Sequence, residues 1–174
     1  MVKKTLISRA VLLFVTAIFT APGYTSENNQ PWQVCARSDV KALRFITVGE
    51  ATLSRHKCQT SNLQNPPMRL SFRYFREVPG DAFAKAALNF LEKNLSKADF
   101  ERYKARFKQF NNHYQDIGDG DVYTLTYRPN SLTLALNNTL LATETGDDFA
   151  RNYLRIWFGE TPYSRPLKEN LLQR

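Results

Sequence analysis

The chain has 174 residues, 43% of them apolar and 23% charged. That is one domain's worth of polypeptide with enough apolar material for a core, so a disordered chain and a disulfide-dense miniprotein are both excluded. The net charge of +8 comes from 24 basic and 16 acidic residues mixed along the chain, which gives mild attraction to anionic surfaces but not the one-faced basic stripe of a nucleic-acid binder. Twelve Phe and eight Tyr point first to a well-filled core and second to an apolar pocket.

Taken from the start, Lys3, Lys4 and Arg9 precede the apolar run 10–21, AVLLFVTAIFTA, and Pro22 and Gly23 follow it. A basic flank, a short apolar run and small residues make the layout of a cleavable signal peptide, and twelve residues are too few to span a bilayer. Residues 1–23 are therefore expected to be removed between Gly23 and Ser26. The mature protein is expected in a bacterial periplasm, with no lipid anchor, because no Cys follows the run. Loss of Lys3, Lys4 and Arg9 lowers the charge from +8 to +5. Residues 24–42 are read as a loose mature N-terminus and 43–174 as the folded domain.

Cys35 and Cys58 are the two cysteines of the chain. In an oxidising compartment such a pair is expected to form a disulfide. His56 lies two residues before Cys58, but a lone H-x-C without a second ligand pair does not make a metal site, so neither metal nor cofactor is expected. Residues 43–53 are rich in β-formers and contain Gly49, as a strand with a bulge or as two strands would be. Residues 54–67 are polar, end in Asn65-Pro66-Pro67, and read as a connection. Residues 68–78 place Met68, Leu70, Phe72 and Tyr74 on one side and Arg69, Ser71 and Arg73 on the other, the alternation of a half-buried strand.

The period then changes. Phe83, Ala86, Ala87, Phe90 and Leu91 recur at helical spacing after Pro79-Gly80-Asp81, and Ser96 with Asp99 opens a second helix striped by Phe100, Tyr103, Phe107, Phe110 and Tyr114. Beyond Gly118-Asp119-Gly120 come three strands, 121–128, 132–136 and 139–145, joined by turns at Pro129-Asn130-Ser131 and Asn137-Asn138. Asp147 can cap a helix carrying Phe149, Tyr153, Ile156 and Trp157 and ended by Gly159, and a short basic helix follows Pro166. Strands and helices are segregated, so the fold class is α+β: an antiparallel sheet packed by helices.

Val48-Gly49-Glu50-Ala51-Thr52-Leu53, the strand 70–75, Gly120-Asp121-Val122-Tyr123-Thr124-Leu125-Thr126-Tyr127, Leu136-Asn137-Asn138, and Phe149 with Ile156-Trp157-Phe158-Gly159 together resemble the chalcone isomerase-like family, in its small exported bacterial branch. The likeness covers about residues 43–172. It implies an open-faced β-sandwich with a cleft between sheet and helices. In the plant enzymes that cleft closes a flavonoid ring; in non-catalytic relatives it holds a fatty acid, with an Arg of a G-x-R motif gripping the anion. Gly49-Glu50-Ala51 stands at that motif, so alanine replaces the arginine. The next strand's counterpart, residues 55–62, is polar throughout.

No catalytic residue is assigned, because serine-hydrolase, phosphate-loop and zinc-protease motifs are missing and His56 and His113 are the only histidines. Hydroxyls for a ligand are expected from the strand residues Tyr74, Tyr123 and Tyr127. Arg55 is the nearest candidate cation, against the competing reading of an exposed loop side chain. The leading expectation is a non-catalytic periplasmic protein that binds a fatty acid or other small apolar ligand. The alternatives are an isomerase or lyase for an enone or phenolic substrate, and an envelope-accessory protein whose basic helical face (Lys97, Arg102, Lys104) meets an anionic membrane surface. No nucleic-acid partner is expected.

Overall fold

The computed structural model describes residues 30–42, 45–58 and 65–173; the expected leader and cleavage point lie outside them. Six strands, β1 (Gln33–Ala42), β2 (Ile46–Arg55), β3 (Met68–Tyr74), β4 (Val122–Arg128), β5 (Ser131–Leu136) and β6 (Thr139–Thr145), form one antiparallel sheet whose spatial order is the order of the sequence. Helices α1 (Gly80–Asn94) and α2 (Lys97–Asn111) connect β3 to β4, and α3 (Asp147–Phe158) and α4 (Arg165–Leu172) follow β6.

Register explains the core. Leu53, Leu70, Leu125, Leu134 and Ala142 pair in one cross-sheet row, and all five are buried. A second row runs Ser38, Ala51, Phe72, Tyr123 and Leu136, and a third Arg55, Met68, Tyr127 and Leu132. Alternation sends the intervening side chains to the other face, which is rich in hydroxyls; there Ser71 Oγ lies 3.1 Å from Thr124 Oγ1. The helices cover the apolar rows. Phe107, Phe110, Phe149 and Tyr153 interlock with ring centroids 5.0–6.1 Å apart. Because Tyr153 is fully buried, its hydroxyl needs partners: it donates to Asn111 Oδ1 at 2.6 Å and lies 3.1 Å from Tyr114 Oη. Ser96 caps α2, accepting from the Asp99 amide at 3.0 Å.

Two local expectations are corrected. Residues 33–42, read from the sequence as a loose N-terminus, form the edge strand β1. Its mixed sequence QVCARSDVKA hides it; it becomes a strand by pairing with β2 and by anchoring to α4, where Asn170 Nδ2 donates to Ser38 Oγ at 3.1 Å and Gln173 Nε2 to the Cys35 carbonyl at 2.6 Å. Asp147 does not cap α3, whose N-cap is Gly146. Its Oδ1 instead accepts from the Asn130 amide at 2.8 Å and the Tyr127 hydroxyl at 2.9 Å, so it ties the β4–β5 turn to the helix start.

Gly49 marks a bulge in β2. Pairing passes from Val40↔Gly49 to Lys41↔Thr47, and Val48 is left over. A Cβ on Gly49 would come within 2.3 Å of the Arg73 carbonyl oxygen, so strand β3 can approach only a glycine there.

Cys35 and Cys58 are joined. Cys35 sits at a second register shift, between Val34 and Ala36, and the bond ties the edge strand to the chain leaving β2. For a sequence separation of 23, chain entropy makes the link worth about 3 kcal/mol. Cys35→Ser, or reduction, is therefore expected to lower the thermal midpoint by about 6–12 °C, read by circular dichroism with and without reductant. No change on reduction would show that β1 does not depend on the bond.

Candidate functional site

Helix α1 turns short side chains toward the sheet. Ala82 and Ala86 are one turn apart, Ala87 is beside them, and Phe83 and Phe90 frame the gap that these methyl groups leave. Below it the sheet contributes Val40, Phe72 and Tyr74, together with Val48, which the bulge turns inward. Ile156 and Trp157 of α3 close the back, with the Trp157 ring 5.2 Å from Phe72. The result is a hollow of about 290 Å³, at the lower end of the range for small-molecule pockets.

The walls are rigid aromatics. Phe83 meets Tyr74, Tyr114 and Tyr123 with centroids 5.2, 5.6 and 5.3 Å away. Tyr163 packs edge-on to Phe90 at 5.7 Å and closes one side. Against this apolar lining stand a few polar groups. Tyr114 shares its hydroxyl with Tyr153, and Tyr163 makes a long contact of 3.4 Å with the Lys41 carbonyl. The Tyr74 hydroxyl has no hydrogen-bond partner among the described residues. Burial pushes the Tyr74, Tyr114 and Tyr163 phenols above their ordinary range, and the neighbouring phenols push Tyr74 further. At neutral pH these hydroxyls are protonated donors, not bases.

Arg76 is the one charged side chain among the lining residues. It is exposed at the rim and forms neither a hydrogen bond nor an ion pair with any described residue.

Of the four residues singled out from the sequence as ligand contacts, Tyr74 lines the hollow. Tyr123 stands behind it; its hydroxyl donates to the Gln115 carbonyl and accepts from the Gln115 amide, both at 2.7 Å, and so holds the chain entering β4. Tyr127 lies at the far end of the sheet, bonded to Asp147. Arg55 is neither in the hollow nor in an exposed loop. It ends β2 with 4% exposure and donates to the Asn65 carbonyl at 3.3 Å, and desolvation lowers its pKa. Ala51 is fully buried between Ser38 and Phe72 in its row and does not line the hollow. The hollow therefore stops short of the position that the resemblance gives to an interior arginine.

Sequence reasoning missed Arg76, Tyr114, Tyr163 and the small residues of α1. Arg76 had no reliable signal: the strand expected over 68–78 ends at Tyr74 and the chain bends through Phe75 and Arg76, so the alternation does not place it. On the basic helical face, Lys104 is paired with Glu101 at 3.0 Å and lies over the Phe100 ring, which reduces the charge presented there.

A family profile described as chalcone isomerase-like matches residues 16–173. Among solved structures, a fatty-acid binding protein of Arabidopsis thaliana superposes with a TM-score of 0.55 over 83% of this chain and 85% of that one, at 15% identity. That likeness is one of fold. No curated protein matches the chain by sequence.

Proposed function

We propose that this chain, which belongs to the chalcone isomerase-like family, is a non-catalytic binding protein that holds a fatty acid or similar lipid between its sheet and α1, and that it works in a periplasm after loss of residues 1–23. The observation that carries this reading is the hollow itself: an aromatic-walled cavity beneath an alanine-lined helix face, with one unsatisfied hydroxyl and one rim cation. The fold shared with a protein named for fatty-acid binding supports it. The leader pattern and the Cys35–Cys58 bond, a feature of oxidising compartments, support the location. Protonated phenols and an alanine where the family's arginine would sit leave a ring-closing or lyase step without its base and its interior cation.

Protein isolated from the periplasm is expected to carry a lipid-sized adduct in native mass spectrometry, and the delipidated protein to gain thermal stability on adding decanoate. Ligand-free spectra together with an unmoved midpoint would end the lipid reading. Ala87→Phe fills the hollow from α1. A phenyl ring there displaces the equivalent of at least two or three methylenes, each worth about 0.8 kcal/mol, so decanoate affinity should fall about fifty-fold in a calorimetric titration while the fold is kept.

A further inference from the structure

We infer that the ligand sits with its head outward: Arg76 at the rim holds the carboxylate of a medium-chain monocarboxylic acid, whose tail of about eight to ten carbons fills the hollow. This rests on the lipid-binding reading above and adds to it the orientation, the headgroup charge and the chain length.

Charge comes first. Among the lining residues Arg76 alone is ionised, and no described acid pairs with it. A guanidinium left with its donors unused beside an apolar mouth matches a carboxylate, which it can grip through two parallel bonds. The inner end offers no such partner, because the fully buried Ala51 lies beyond the lining. A carboxylate pushed inward would meet Val, Ile, Phe, Trp and Ala side chains and the tyrosine hydroxyls, and would lose its hydration without a counter-charge. Tyr74 adds a second donor. It precedes Arg76 by two residues, lines the same hollow, and its hydroxyl has no acceptor among the described residues. β3 ends at Tyr74 and the chain bends through Phe75 and Arg76; both side chains line the same mouth, where one carboxylate can take a bond from each.

Size comes second. A hollow of about 290 Å³ lies at the lower end of the range for small-molecule pockets. That suits the tail of decanoate and leaves much of a sixteen-carbon tail in water.

The test titrates delipidated protein, wild type and Arg76→Gln, with decanoate, decan-1-ol and hexadecanoate by calorimetry. Arg76 is exposed, so its replacement leaves the fold intact, which circular dichroism checks. In wild type, decanoate is expected to bind more weakly as salt is raised. Arg76→Gln should weaken decanoate about ten- to hundred-fold and abolish the salt dependence, while decan-1-ol changes by less than about two-fold. Equal losses for acid and alcohol, or no loss for either, would overturn the anchor and leave the lipid site standing. Six extra methylenes in a matching cavity would tighten hexadecanoate about a thousand-fold or more over decanoate; a gain of that size would overturn the chain length. If wild type binds neither decanoate nor the alcohol, the underlying site fails as well.

Discussion

Ala51→Arg is expected to destabilise the fold by about 3–5 kcal/mol, the largest effect of any single substitution considered for this chain. Ala51 has no exposure and sits in the middle of the sheet, flanked by Ser38 on β1 and Phe72 on β3. No acid lies near enough to pair with a charge there among the described residues: Glu50 points to the opposite side, where it pairs with Arg37 at 2.6 Å, and Glu144, on the same face, stands four strands away on β6 and pairs with Arg106. An arginine at 51 would be an unpaired charge in close-packed surroundings, with the added cost of making room for a long side chain. Urea denaturation followed by tryptophan fluorescence reads the loss directly. A stable Ala51→Arg protein that binds decanoate more tightly would show that the hollow extends to the strand interior, contrary to the lining observed.

Alkaline solution should unfold the protein steeply above about pH 10, the ordinary tyrosine value. Burial holds the Tyr74, Tyr114 and Tyr153 phenols well above that value in the folded state. Each folded-state pKa is raised, so the stability tied to these groups is fully present below the unfolded-state value and is lost as pH climbs past it, where the unfolded chain releases protons that the folded chain keeps. One such proton is worth about 1.4 kcal/mol per pH unit. Tyr153 is fully buried, whereas Tyr74 and Tyr114 face the hollow and its solvent. The slope is therefore expected between one proton and three, about 1.4 to 4 kcal/mol per unit. Denaturant midpoints taken from pH 9 to 11.5 give the slope, and Tyr114→Phe should make it shallower. A profile flat to pH 11 would mean that the phenols titrate in place.

How far the sequence could be read depended on how local the cause was. Met68 to Tyr74 alternates without a break, α1 and α2 carry apolar stripes behind good start signals, and β4 to β6 are separated by turn residues, of which Asn130, Asn137 and Asn138 adopt positive φ. All of these elements were legible. β1 was not, because its side chains show no clean period; its strand conformation comes from β2 on one side and α4 across its face. The same division holds at the site. Tyr74, Tyr123 and Tyr127 all point to the helix side of the sheet, as strand tyrosines in their register must. The turn before β4 takes the hydroxyl of Tyr123, and Asp147 takes that of Tyr127; both partners are set by tertiary placement and cannot be seen in a window of sequence. The hollow was hidden for a related reason. It is made by side chains that are small, Ala82, Ala86 and Ala87, and a missing side chain leaves no motif. Arg55 was misread because polar neighbours suggested a loop, while β2 in fact runs on to include it.

The Cys35–Cys58 bond also has a bearing on the hollow. Strand β1 is at the border of the sheet with a partner on one side only, yet it furnishes Val40 and Ala42 to the receptacle. A border strand released from its covalent tether frays first, and here the strand that the tether holds by Cys35 carries wall residues at its other end. Any electron donor strong enough to open the sulfur–sulfur link would loosen the strand at the end where that link holds it.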